Sequence, residues 1–443
     1  MRARFAPAIL LAALCLAAGA ATGQWLETTI ALPDSSYPRA LCYNPQNNKV
    51  YCANHYRSSV TVIDGATNGV IATVPVGDSP YALCYNPLNN KVYCAVWGDS
   101  SVAVLDGETN QLVASVSVGT RPCALACNRA INRVYCSNYT DPSTVSVIDG
   151  ATDSVVATVA VMGYPEALCH NPQNNKVYCA NTGSGSVSII DAATNRVRAH
   201  LRTGWQPCAL CYDSTDNRVF CADEALDSVV VIDGVGDSVL ARVPAGEWPH
   251  ALCHNVRENR VYCANYSTGD VTVIDGASSR VIANVPVGYL PRGLSYDPAG
   301  NKVYCAVFGD DSVAVLDGRS NQVLRSLAVG GGPWALVLNP AHNRTYVSNQ
   351  QGWSLSVLRD SGGGIEEEEN GEVARENRAA NVARGVPWLV PASSLKLPAA
   401  SLLDISGRKV TALAPGPNDV SRLAPGVYFV RRPSAVHKVI VTR

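Results

Sequence analysis

The 443-residue sequence has little charge of either sign, since 16% of its residues are charged and 35 Lys and Arg nearly balance 36 Asp and Glu. Without a basic surplus, nucleic acid is not an expected partner. Without a strong net charge, the chain is not expected to be disordered. Strong helix formers do not dominate, whereas Val, Tyr, Thr, Asn, Gly and Pro are abundant. This composition predicts strands joined by tight turns.

Compact catalytic and metal-binding motifs are also missing. The sequence has no His-x-His or HExxH pattern, no GxSxG turn, and no pair of CxxC motifs at zinc-finger spacing. We therefore expect no catalytic residue, no metal and no cofactor. A catalytic site assembled from separate parts of the chain stays open, because no local motif would reveal it.

No apolar run after the N-terminus is long enough to cross a membrane. The N-terminus itself places Arg2 and Arg4 before an apolar run at residues 8–18, which ends in small residues. This order is typical of a signal peptide. We expect residues 1–23 to be that peptide and the mature chain to be secreted or held at the cell surface, with no transmembrane span. An uncleaved anchor is the alternative.

The sequence is rich in internal repeats. The stretch ALCYNPQNNKVYCAN at residues 40–54 returns nearly unchanged at residues 82–95 and 167–181. A proline precedes each copy and an aromatic residue marks its second half, and both series step by 42 residues with one step of 43. The prolines are Pro38, Pro80, Pro122, Pro165, Pro207, Pro249, Pro291 and Pro333. Eight copies of this length are typical of four-stranded propeller blades.

The two ends of the repeat array predict how the ring closes. The eighth copy has no fourth strand, and residues 27–32 align one period upstream of the fourth-strand run of the first copy. The N-terminal segment should therefore complete the last blade and hide two sheet edges. The sequence predicts an all-β, eight-bladed propeller over residues 24–361, with a seven-bladed ring as the alternative.

The hairpin VYCAN, and most literally Tyr346-Val347-Ser348-Asn349, resembles the YVTN family of β-propeller repeats. The resemblance covers about residues 25–360. It implies a propeller of the kind found in surface-layer and other exported proteins, but it implies no reaction. The chain departs from the family in having Cys where Val is usual and eight units where seven are common.

The C-terminal residues differ in composition from the repeats. Residues 362–385 begin with three consecutive glycines and contain four consecutive glutamates, which predict a flexible acidic linker. Residues 386–443 resemble the small β-sandwich sorting domain of type IX secretion cargo. That resemblance implies the secretion machinery as a partner, and a plain accessory β-module is the alternative. The matching residues are Asp404, Gly407, Arg408, Pro425, Gly426, Val427, Tyr428 and residues 438–443.

Sixteen cysteines are unusual, and twelve of them occupy two positions of the repeat. If each hairpin turn is centred on the residue equivalent to Asn47, these two positions face each other at a spacing that suits a disulfide. Free buried thiols are the alternative, and a metal or catalytic role is a third. The predicted pairs are Cys42 with Cys52, Cys84 with Cys94, Cys169 with Cys179, Cys211 with Cys221, and Cys253 with Cys263.

The residues around the repeated proline vary from copy to copy, whereas the hairpin is nearly constant. In a propeller these loops share one face around the channel with the loops that follow the second strands. Varied aromatic and charged residues there predict a ligand site, and a merely solvated loop face is the alternative. The candidates are Arg39, Tyr81, Glu166, His250, Arg292 and Trp334, with Trp97, Trp205 and Trp248 from the loops.

These features favour a non-enzymatic, exported binding scaffold whose ligand is a protein, a glycan or a cell-surface component. The alternative is a propeller enzyme, such as a lactonase-like hydrolase or a lyase, that uses Arg39, Glu166, His250 and Arg292 at the channel mouth. A structural surface-layer component is a third possibility.

Overall fold

The computed structural model describes residues 23–361 continuously and, beyond them, seven strands between residues 388 and 442. The chain divides into two units, Met1–Gly364 and Ile365–Arg443. The described part of the first unit consists of eight antiparallel, four-stranded sheets. The predicted eight-bladed all-β propeller is confirmed.

Each blade runs from an inner strand near the axis to an outer strand. The inner strands are Pro38–Asn44, Pro80–Asn86, Pro122–Asn128, Pro165–Asn171, Pro207–Asp213, Pro249–Asn255, Pro291–Asp297 and Pro333–Asn339. The second strands are Lys49–Asn54, Lys91–Val96, Arg133–Asn138, Lys176–Asn181, Arg218–Asp223, Arg260–Asn265, Lys302–Val307 and Arg344–Asn349.

The outer half of each blade follows the same order. The third strands are Ser59–Asp64, Ser101–Asp106, Thr144–Asp149, Ser186–Asp191, Ser228–Asp233, Asp270–Asp275, Ser312–Asp317 and Ser354–Asp360. The outer strands are Val70–Pro75, Leu112–Ser117, Ser154–Ala160, Arg196–Arg202, Val239–Pro244, Arg280–Pro286, Val323–Ala328 and Gln24–Ala31. Single 3₁₀ turns follow four of the second strands, at His55–Arg57, Thr182–Ser184, Glu224–Leu226 and Phe308–Asp310.

The ring closes through its N-terminal strand. Gln24–Ala31 pairs antiparallel with Ser354–Asp360 and becomes the outer strand of the eighth blade. The closure predicted from the alignment of the chain ends is confirmed, and the seven-bladed alternative is wrong.

Apolar side chains fill the space between neighbouring blades. Tyr51 and Val62 of the first blade pack with Val92 and Leu105 of the second, and all four are fully buried. A polar contact crosses the same interface, because Lys49 donates from Nζ to the backbone carbonyls of Gly107 and Glu108, each at 2.8 Å. The repeated residues are therefore the structural framework of the ring.

The cysteine positions do not pair as predicted. In the first hairpin Cys42 lies opposite Tyr51, and Cys52 lies opposite Leu41. Cys42 and Cys52 are therefore on opposite faces of the sheet, because adjacent residues of a strand point to opposite sides. The other four predicted pairs have the same register. All fifteen cysteines of the described residues are free, so the predicted disulfides are wrong.

Burial in apolar interfaces explains why unpaired cysteines occupy these two repeat positions. Cys42 is 8% exposed and Cys52 is fully buried, each in an apolar interface. Desolvation raises the pKa of the Cys42 thiol to about 12, so the thiol stays protonated at neutral pH. These cysteines act as small core side chains.

In the second unit the structure describes seven strands, which form two sheets. Trp388–Pro391, Val436–Thr442, Gly426–Arg431, Ala400–Leu403 and Lys409–Leu413 form a five-stranded sheet in that order, and Leu395–Leu397 pairs with Gly416–Asn418. The predicted sandwich and its sorting role stay predictions.

The predicted signal peptide, up to residue 22, and the predicted linker at 362–385 lie outside the described residues. Across the described residues, no helix is both long and apolar enough to cross a membrane.

An ion pair at the closing strand gives a testable pH dependence. Glu27 lies in a bulge of that strand and accepts hydrogen bonds from Arg344 Nε at 2.6 Å and Nη2 at 2.5 Å. The Arg344 contact holds the pKa of Glu27 below its ordinary value of 4.5. The pair therefore stabilises the fold above that value, and the contribution is lost as the pH falls through the lowered pKa.

We expect Glu27→Gln to lower the free energy of unfolding at pH 7 by about 1 kcal/mol. The difference between the variant and the wild type should shrink as the pH falls below 4.5 and disappear once it is below the lowered pKa of Glu27. Denaturant midpoints measured across this range would check the prediction. A difference that stays constant with pH would contradict it.

Candidate functional site

Two rings of side chains surround the axis at one face of the propeller. The inner ring is formed by the residue that follows each repeated proline. The ladder shifts register at this residue in the first seven blades, and at this residue together with the next one in the eighth. Such bulges redirect a side chain out of the regular pleat. The inner ring consists of Arg39, Tyr81, Cys123, Glu166, Cys208, His250, Arg292 and Trp334.

The outer ring is the residue directly after each second strand. Its backbone N–H bonds to the loop ahead of the inner strand, as in His55 to Tyr37 at 3.2 Å and Tyr266 to Trp248 at 2.9 Å. Both rings therefore lie at the same end of the channel, and together they form what we call the mouth. The outer ring consists of His55, Trp97, Tyr139, Thr182, Glu224, Tyr266, Phe308 and Gln350.

Arginines and aromatic rings form one side of the mouth, on the sixth, seventh, eighth, first and second blades. The Arg39 guanidinium carbon lies 3.6 Å from the centre of the Tyr81 ring and 5.4 Å from that of Trp334. Arg292 lies 4.1 Å from Trp334 and 4.4 Å from Tyr266. Cation–π attraction therefore holds both guanidinium groups against aromatic faces.

Carboxylates lie on the other side, on the fourth and fifth blades. Glu166 accepts a hydrogen bond from the Thr182 hydroxyl at 2.7 Å, and burial raises the pKa of Glu166. Glu224 Oε1 lies 2.7 Å from His250 Nδ1, and Arg292 Nη1 lies 2.9 Å from His250 Nε2. The His250 tautomer with its proton on Nδ1 satisfies both contacts. His250 thus connects the acidic and the basic sides.

Exposed aromatic side chains form a rim outside the mouth, which we define as Tyr56, Trp205, Trp248 and Tyr289. They are 63%, 67%, 57% and 61% exposed. Trp248 has a φ of 57°, a left-handed conformation that is unusual for a bulky residue. Its N–H is held by the Asp227 carboxylate at 3.0 Å. The loop therefore fixes this side chain towards solvent.

Comparison with known proteins identifies the family. Residues 102–361 match the model of the YNCE-like beta-propeller family. The chain belongs to this family. The match agrees with the YVTN-type repeat predicted from the sequence.

A solved structure shares the fold of this YNCE-like propeller. It is the Kuenenia stuttgartiensis hydrazine synthase, with a TM-score of 0.55 and 20% sequence identity, covering 76% of this chain and 99% of that one. At this identity the similarity shows the fold alone. No curated protein matches the sequence.

One cluster of the YNCE-like propeller has the donor set of a metal site. Ligand atoms of Cys208, Glu224 and His250 lie within 4.8 Å of one another. These three residue types are the usual protein ligands of Zn²⁺. However, the Cys208 sulfur contacts the Pro249 carbonyl at 3.2 Å, and both His250 nitrogens have protein partners. A metal ion would have to displace these contacts, so the geometry fits a hydrogen-bonded network better than a prepared metal centre.

The structure groups the predicted site residues in two sets. Arg39, Tyr81, His250, Arg292 and Trp334 belong to one contact network. The remaining residues lie around it: Trp97 stacks on Tyr81 at 5.0 Å, Glu166 is on the acidic side, Trp248 and Trp205 are on the rim.

Sequence reasoning missed Glu224, which orients His250. A signal was present, because Glu224 occupies the same repeat position as His55, Trp97 and Tyr266. Reading that position through all eight copies would have found it.

Proposed function

We propose that this propeller is an exported binding protein that recognises a glycan at the mouth and its aromatic rim. The observation that carries the proposal is the set of exposed aromatic rings around a polar mouth. A sugar ring has an apolar C–H face and a hydroxyl edge. Aromatic faces and hydrogen-bonding groups placed side by side complement both features.

The cell-surface setting is part of the proposal. The N-terminal residues have the pattern of a signal peptide, and the C-terminal residues resemble a sorting domain read by a secretion apparatus. Such delivery would place the mouth where surface or extracellular polysaccharides are available. The secretion machinery would then be a second partner, through residues 386–443.

A propeller enzyme is the second candidate, and the Cys208–Glu224–His250 cluster favours it. Glu224 orients His250 by a 2.7 Å contact, as a carboxylate orients a general base. In this candidate Arg292 would stabilise negative charge that develops on a bound substrate. Glu224→Gln would abolish turnover of a bound glycan if this candidate is correct, and would leave binding intact.

The rim can be tested on a glycan array with the mature chain. We expect the Trp205→Ala/Trp248→Ala double variant to lose about tenfold or more in affinity for the bound glycans, because truncating a stacked aromatic commonly costs more than 1 kcal/mol. Val235→Ala is the control, since Val235 is 67% exposed but lies outside the rim. Unchanged binding by the double variant, or no glycan binding by the wild type, would overturn the proposal.

A further inference from the structure

We infer that the mouth binds an acidic sugar, whose carboxylate is held by Arg39 and Arg292. The inference rests on the proposed glycan binding and specifies the charge of the recognised unit.

The first observation is that neither guanidinium group forms an ion pair with a carboxylate of the described residues. Among the ion pairs of residues 23–361, none involves Arg39 or Arg292. Both side chains are only partly exposed. Arg292 Nε is buried and has no hydrogen-bond partner. Aromatic faces stabilise these cations but accept no strong hydrogen bond, so each group keeps donors for an incoming anion.

The second observation is the placement of the two arginines. Arg292 belongs to the seventh blade and Arg39 to the first, and Trp334 of the intervening eighth blade contacts both, with its ring centre 4.1 and 5.4 Å from their guanidinium carbons. A planar carboxylate matches the fork of a guanidinium group and can accept two parallel hydrogen bonds. A sugar ring that carries this carboxylate would have the Trp334 ring beside it.

The acidic side of the mouth fits the rest of such a ligand. Glu166 and Glu224 lie on the fourth and fifth blades, so a sugar whose carboxylate faces the arginines would present hydroxyl groups to them. Carboxylates accept hydrogen bonds from hydroxyls and repel a second anionic group. A uronic acid, with one carboxylate and several hydroxyls, matches this division of charge better than a polyanion does.

Calorimetric titration with matched probes tests the inference. The probes are oligomers of galacturonate, glucuronate and mannuronate, each paired with its methyl ester, which keeps the ring and removes the charge. For at least one sugar we expect the acid to bind about tenfold or more tightly than the ester, because hydrogen bonds between charged groups are the stronger ones. Higher salt should weaken binding of the acid alone.

Variants assign the effect to the two arginines. Arg39→Gln and Arg292→Gln should each weaken acid binding about tenfold and change ester binding less than about threefold. Arg196→Gln is the control, because it removes the same charge from an exposed position on an outer strand. Loss of both acid and ester binding in Arg39→Gln would indicate a packing role and overturn the inference.

The outcomes separate the inference from the proposed function. If ester and acid bind equally, the acidic sugar is wrong while glycan binding stands. If none of the acids binds and the array shows neutral glycans held at the rim, the acidic sugar is likewise wrong and glycan binding stands. If the array shows no glycan at all, both fail.

Discussion

Replacing Ile30 with Asp should destabilise the propeller by about 4 kcal/mol or more, because a charge would enter the core where the ring closes. Ile30 is 8% exposed and packs with Tyr346, Leu355 and Val357 of the eighth blade. The same cluster contains Val50 of the first blade, so one side chain joins the last blade to the first.

The effect should extend beyond local packing. If the N-terminal strand detaches, Ser354–Asp360 becomes an exposed edge strand, and such edges promote aggregation. We therefore expect Ile30→Asp to lower the denaturant midpoint and also to increase aggregation at concentrations where the wild type stays monodisperse. Denaturant titration and light scattering would measure the two effects.

Ala31 provides a matched control on the same strand. It is exposed, and it pairs with Ser354 next to the Ile30–Leu355 pair. Ala31→Asp adds the same carboxylate at the solvent side and should change the stability by less than about 0.5 kcal/mol. Equal losses in the two variants would contradict the prediction, because the cost would then not depend on the burial of Ile30.

The sequence predicted the fold well because the 42-residue repeat reveals both the strands of each blade and the way the ring closes. Each copy shows four strand-like runs, and the missing fourth run at one end matches the extra run at the other. Both features can be recognised from the order of residues along the sequence. Hydrophobic contacts between blades follow from them, since neighbouring copies must pack against each other to bury their apolar faces.

The hairpin register was not predictable from the same pattern. Asn44 accepts hydrogen bonds from the N–H groups of Gln46 and Asn47, and Asn48 is left-handed with a φ of 50°. This produces a turn of four residues, centred between Gln46 and Asn47 rather than on Asn47. A shift of one residue in the register moves the cysteines to opposite faces. The conformation of the turn determines which register forms.

The positions of the site residues were predictable, whereas their partners were not. Variation next to a constant proline identified Arg39, His250 and Arg292 as candidates. The Glu224–His250–Arg292 contacts join three successive blades, at distances set by the diameter of the ring. No local motif encodes such distances.

The second large effect on stability is expected from replacing Asp360. Comparison of the repeats explains why an aspartate occupies this position. In five blades the Lys or Arg that begins the second strand donates to backbone carbonyls in the turn of the next blade, at residues 107, 234, 276, 318 and 65. In the eighth blade the third strand ends at Asp360 and the outer strand is the N-terminal Gln24–Ala31, so within residues 23–361 Lys302 of the seventh blade faces no such turn. There the Asp360 carboxylate accepts from Lys302 Nζ at 2.5 Å and from the Tyr304 hydroxyl at 3.0 Å.

Asp360→Ala should therefore lower the free energy of unfolding by about 3–5 kcal/mol, since it leaves the Lys302 ammonium and the Tyr304 hydroxyl without that acceptor. Asp360 is 5% exposed, so water cannot easily replace the carboxylate. Asp34→Ala, which removes the same charge from an exposed loop position, should cost less than about 0.5 kcal/mol.

A double-mutant cycle separates the pair from other effects of the substitution. If the cost of Asp360→Ala comes from an unpaired Lys302, then adding Lys302→Met should recover about half of it, because a buried ion pair can be replaced by apolar side chains more cheaply than it can be broken. Additive losses in the cycle would instead indicate that Asp360 acts through the closing strand, where Gln24 donates to its carboxylate at 3.3 Å. The carboxylate would then stabilise the attachment of the closing strand, and would not substitute for the missing turn.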